Sequence, residues 1–71
     1  MHNMGKFAEE LRVARARLNI GVREASVMAS VSSATFSRVE NGKEPSLTNY
    51  FKLKAWVDFV SNKVIKEPSS A

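Results

Sequence analysis

Apolar positions recur along this chain at helical rather than strand spacing. Phe7, Leu11, Ala14 and Leu18 are separated by 4, 3 and 4 residues, which puts them on one face of an α-helix. A first helix is therefore predicted over about residues 6–17, with Arg12, Arg15 and Arg17 on other faces and Glu9 and Glu10 near its start. Asn19-Ile20-Gly21 reads as its exit turn. Val22, Ala25 and Ala29 predict a second, short helix over about residues 22–29. After Ser30 and Val31, Ser32 is a good N-cap, because its hydroxyl can accept from a free amide of the next turn. A third helix is expected from Ser33 to about Asn41, with Phe36 and Val39 turned inward and Gly42 ending it. Lys43-Glu44-Pro45 forms a loop and Ser46 caps the next helix. Residues 46–66 contain neither glycine nor proline, and Leu47, Tyr50, Leu53, Val57, Val60 and Val64 are spaced 3, 3, 4, 3, 4. One long helix, or two helices bent near Asp58, fits this pattern. Leu47 and Leu53 join Phe36 and Val39 as expected core. No segment alternates with period 2, so strands are not expected and the fold class is all-α, with four to five helices.

Length turns this string of helices into one domain. The chain has 71 residues, which fits a single small unit over residues 1–66, with a loose tail at 67–71. With no cysteine there is no disulfide and no thiolate ligand or nucleophile. The longest apolar run is three residues, against about 20 needed to span a bilayer. The charged first helix offers no signal-peptide core. The expected location is therefore cytoplasmic, with no membrane partner. A single histidine, His2, near the terminus leaves no catalytic triad and no zinc-spaced ligand set. The three glycines are isolated, so no phosphate-cradling loop exists. The chain is expected not to be an enzyme and to need no cofactor or metal.

The chemistry that remains lies between Ile20 and Lys43. Two short helices meet at a three-residue turn, and the second presents small and polar residues outward. A helix lying in a DNA major groove needs such a face: small residues allow close approach, and long polar ones reach base edges. The net charge is a modest +4, which gives some weight to a protein partner instead.

The segments Val31-Ser32, Thr35 to Lys43 and Pro45-Ser46-Leu47 resemble the helix-turn-helix of the lambda repressor and Cro superfamily, also called the xenobiotic-response-element family. Upstream, Leu11 to Arg15 resembles that family's first helix, so the similarity covers roughly residues 6–57. The resemblance implies a lambda-repressor-like domain with its helix-turn-helix at about residues 22–41. It implies a sequence-specific transcriptional regulator of double-stranded DNA, of the small repressor type found in phages and mobile elements, associated with the nucleoid and occupying a palindromic operator as a dimer. It places base reading at Ser33 and Ala34, phosphate contacts at Asn41 and Lys43, and an ion pair between Arg15 and Glu40. The chain departs from the family pattern in four places. Gly21 and Val22 stand where a Ser-Gln pair is usual, Ser26 where a small apolar residue is usual, and Ser30 where the turn has glycine. A serine held in the left-handed region costs of order 1 kcal/mol relative to glycine.

Arg38 carries the largest donor set on the third helix, and a bidentate contact to guanine is the commonest specific pairing for arginine. Ser33 could bond a base or a phosphate, Ala34 could touch a thymine methyl, and both could simply clear a path for the backbone. The hydroxyls of Thr35 and Ser37 can serve DNA or their own helix; Ser37 is placed with the base-reading set and Thr35 with the phosphate set. Asn41 can contact phosphate, end the helix, or do both. Trp56 and Phe59 lie partly off the 47/50/53/57/60/64 face. Such a small core can hardly cover both sides of a helix, so Trp56, Phe59, Val60 and Val64 are assigned to a homodimer interface on a C-terminal segment spanning about residues 46–66. The alternative is that Trp56 or Phe59 closes the bottom of the monomer core. A second functional class stays open, in which the scaffold binds a protein, as an antirepressor or antitoxin partner would.

Overall fold

The computed structural model describes residues 4–65, with side chains through residue 62. The described chain is all-helical: α1 (Met4–Leu18), α2 (Val22–Ala29), α3 (Ser33–Glu40) and α4 (Leu47–Ile65). The expected tail at 67–71, the end of the last helix at 66 and the side chain of Val64 lie outside the described residues.

One capping motif, used three times, sets the helix boundaries. Asn19 (φ 57°), Ser30 (φ 65°) and Gly42 (φ 93°) each adopt the left-handed conformation just after a helix. In each case the left-handed residue and its successor donate to carbonyls of the last turn. Asn19 N reaches Ala16 O at 3.1 Å and Ile20 N reaches Arg15 O at 3.2 Å. Ser30 N reaches Val27 O at 3.1 Å and Val31 N reaches Ser26 O at 3.0 Å. Gly42 N reaches Val39 O and Lys43 N reaches Arg38 O, both at 3.0 Å. This paired pattern satisfies carbonyls that a helix end leaves orphaned. Ile20 and Val31, the residues after the first two left-handed positions, pack against the core, which is the apolar contact that often accompanies the motif.

The helix starts have the expected chemistry. Ser32 Oγ accepts from Thr35 N at 3.0 Å, and Ser46 Oγ accepts from Asn49 N at 3.2 Å. Gly21 caps α2 with no side-chain bond. From Ser46 onward no residue breaks the helix, and α4 runs as one element. The open choice between one helix and two bent near Asp58 resolves as one.

All four helices contribute to a single core. Phe7, Leu11 and Ala14 come from α1, Ala25 and Ala29 from α2, Phe36 and Val39 from α3, and Leu53, Trp56, Val57 and Val60 from α4. Phe36 meets the Trp56 ring edge-on at 5.5 Å, and Phe7 meets Tyr50 at 5.0 Å. Ser26 is buried, and its hydroxyl stays satisfied by donating to Arg23 O at 2.8 Å.

Three expectations about α4 need correction. Trp56 and Val60, assigned to a dimer face, are core residues with exposures of 4% and 0%. Leu47, assigned to the core, is 68% exposed. The reason is the width of a buried helical stripe, which spans roughly 100° or more and takes in neighbours at i+3 and i+4 together. Centred on Leu53, that stripe includes Trp56, Val57 and Val60, while Leu47 has rotated out of it. Phe59 stays on the surface, 51% exposed. Trp56 Nε1 is buried with no hydrogen-bond partner, a desolvation cost that the ring's packing must outweigh.

Candidate nucleic-acid interface

α3 is anchored from below and open above. Its inner side inserts Phe36 and Val39 into the core. Its other faces leave Ser33, Ala34, Ser37 and Arg38 exposed, with Asn41 and Lys43 exposed just beyond. The predicted base-reading set therefore lies on one accessible strip. Thr35 is half-buried, and its hydroxyl accepts from Ser32 Oγ at 2.9 Å, so it belongs first to the cap of α3. Asn41 donates from its side-chain amide to Ser37 O at 3.0 Å, which gives it the helix-ending role. Arg38 and Lys43 border a shallow depression with Thr35, Pro45, Ser46 and Asn49, so the end of α3 and the start of α4 present polar groups side by side.

The anchor beneath this strip is a guanidinium fork. Arg15 Nε donates to Glu40 Oε2 at 2.7 Å and Arg15 Nη2 donates to Glu40 Oε1 at 3.1 Å, the bidentate geometry that arginine offers a carboxylate. Arg15 Nη1 also reaches Ile20 O at 3.3 Å, tying the α1–α2 connection into the same cluster. Hydrogen bonding to Glu40 raises the Arg15 pKa above its ordinary value; partial burial opposes this, and the charge of Glu40 adds to the rise. Sequence reasoning did not single out Arg12, whose Nη1 donates to Glu40 O at 2.6 Å. Its signal was available: Arg12 and Arg15 lie three apart and so share a side of α1, and a cation at the carbonyl end of α3 suits the helix dipole. Lys52 Nζ donates to Ser30 O at 3.3 Å, linking α4 to the α2–α3 turn.

The four departures from the family pattern do not prevent the turn from forming. Ser30 adopts the left-handed conformation that the turn requires (φ 65°, ψ 38°). Gly21 and Val22 carry no side-chain hydrogen-bond donor, and the first one on α2 is the exposed Arg23. Of the expected interface on α4, only Phe59 is a large, surface-exposed side chain among the described residues.

Among the described residues, no helix is long and apolar enough to cross a membrane, and no group of three or more histidine, cysteine or acidic side chains is placed to hold a metal ion. No family model matches the chain, and no curated protein or solved structure matches it either.

Proposed function

We propose that this chain is a sequence-specific DNA-binding transcriptional regulator of the lambda-repressor-like helix-turn-helix type, acting as a repressor on a palindromic operator. α2 and α3 form the helix-turn-helix and α3 is the reading helix. The observation that carries this reading is the strip of Ser33, Ala34, Ser37 and Arg38, exposed together on a helix that is fixed from behind by Phe36, Val39 and the Arg15–Glu40 fork. Small side chains let a helix backbone approach base edges, and Arg38 supplies the fork for guanine O6 and N7. Lys43 lies past the end of α3, where a point charge can meet a phosphate without reading sequence. No bound cofactor is needed for this chemistry.

The test compares variants on a selected duplex and on random duplex. Arg38→Ala should lose discrimination at one base position, at about 1–3 kcal/mol, while keeping its affinity for random duplex. Lys43→Ala should weaken both duplexes alike and lower the slope of log affinity against log salt by about one unit. Equal loss on both duplexes for Arg38→Ala would make it a phosphate contact and remove it from the reading set.

A further inference from the structure

Where α2 lies against α4, on a side of the molecule that shares no residue with the strip on α3, there is a depression of about 510 Å³. That volume is within the range of clefts that take small ligands, about 300–1,000 Å³. Met28 and Ala29 from the last turn of α2, with Ala55, Trp56 and Phe59 from α4, give it an apolar lining, and Ser30 and Lys52 complete it. The space exists because Ala29 and Ala55, one from each helix, offer only a methyl group apiece. Its single charge is that of Lys52, and no acidic side chain lines it. Lys52 Nζ donates to Ser30 O at 3.3 Å, which holds the ammonium at the rim, beside the carbonyl end of α2. An ammonium has three N–H donors, and this bond uses one.

We infer that this depression binds a free amphipathic carboxylate, a short acyl or aryl body seated over Ala29 and Ala55 with its carboxylate on the Lys52 ammonium. An apolar lining favours an apolar body, because both then leave water. The lone cation selects the head group. A monoanion matches one ammonium, whereas a phosphate brings more charge and more acceptor oxygens than Lys52 can satisfy. An amino acid would set its own ammonium beside Lys52 with no acidic side chain to balance it. A bound carboxylate also competes with Ser30 O for the Lys52 ammonium. Ser30 is the left-handed residue between α2 and α3, so the ligand reaches the turn itself.

The depression is open and the charge is at its edge, so affinity comes from the apolar body and the ion pair adds selection. A dissociation constant on the order of 0.1–1 mM follows for a ligand of this size. The inference does not depend on what α3 binds, and its test needs no DNA.

The test titrates the full chain with octanoate and with octylammonium, which share a chain and differ in the sign of the head group. Trp56 is the only tryptophan and lines the depression, so its fluorescence reports occupancy, and amide NMR shifts locate it. At neutral pH and low salt octanoate should saturate, with shifts centred on residues 28–30 and 52–56. Octylammonium should bind about three- to tenfold more weakly. Lys52→Glu changes an exposed side chain, so it should keep the parent's melting temperature within about 4 °C and reverse the preference. No saturable response to octanoate up to about 10 mM would overturn the inference. So would shifts centred instead on Leu47 and Phe51, which are 68% and 60% exposed, or equal binding of the two probes, or an unchanged preference in Lys52→Glu. A depression closed by a second copy of the chain would appear in sedimentation as a dimer that octanoate neither enters nor dissociates, and would overturn it as well.

Discussion

Replacing Glu40 by alanine tests how α3 is held. The substitution removes both carboxylate oxygens and leaves the Arg15 fork facing an apolar gap. The bonds lost are 2.7 and 3.1 Å long, and hydrogen bonds to a charged group contribute about 1.5–3 kcal/mol each before the remaining partner is rehydrated. Stranding one member of a fully buried pair costs about 3–5 kcal/mol. Here the Arg15 side chain is 25% exposed against 10% for Glu40, so water can recover part of that loss and the net cost should be about 2–3 kcal/mol. In a domain this size a change of about 1 kcal/mol moves the melting temperature by about 4–8 °C, so a fall of about 10–20 °C is expected. The folded-state pKa of Arg15 is raised, so its contribution is fully present below the guanidinium's ordinary value and is lost only above it. A measurement at neutral pH therefore reads the intact pair. Urea unfolding monitored by circular dichroism, on Glu40→Ala, Arg15→Ala and the double variant, gives the coupling directly. The double variant should lose less than the sum of the singles by at least about 1 kcal/mol. Additive losses, or a melting temperature close to the parent for Glu40→Ala, would refute the anchoring role.

Three further substitutions probe the core and the turn. Trp56→Ala should cost about 3–5 kcal/mol and lower the helix signal as the fold loosens, as a core position requires, whereas Trp56→Phe should stay within about 1 kcal/mol of the parent, because it removes a buried N–H that has no partner. Full retention of stability by Trp56→Ala would return that ring to the surface. Ser30→Gly should stabilise the protein by about 1 kcal/mol, since φ is already 65° and glycine carries no Cβ penalty there; thermal melting checks it, and a decrease would mean that the serine side chain contributes something its backbone geometry does not reveal.

Local chemistry was the most legible part of the chain. The spacing of Phe7, Leu11 and Ala14, the cap at Ser32 and the stop at Gly42 are each decided by a few neighbouring residues, and each could be read from them, whereas the left-handed strain at Ser30 was reached through the family resemblance. The Arg15–Glu40 pair was reached through resemblance, since nothing local links residues 25 apart. What escaped depends on how helices lie against one another. Which of Trp56 and Val57 faces inward is set by the position of α4 against α1 and α2, and both do. The same packing turned Leu47 out and left Phe51, which no local pattern marks, on the surface. The amide of Asn41 and the hydroxyl of Thr35 had several acceptors and donors within reach, and only the folded backbone decided between them.

Selection from a pool of random duplexes tests the central claim most directly. The protein is incubated with the pool at moderate salt and the retained duplexes are sequenced over successive rounds. A DNA-reading α3 predicts convergence on one motif with two-fold symmetry, its half-sites about one helical turn apart. It also predicts that Arg38→Ala relaxes one position in each half-site while the others persist. A pool that stays random, or retention that does not weaken as salt rises, would contradict the reading of α3 as a DNA-reading helix and leave the scaffold to a protein partner.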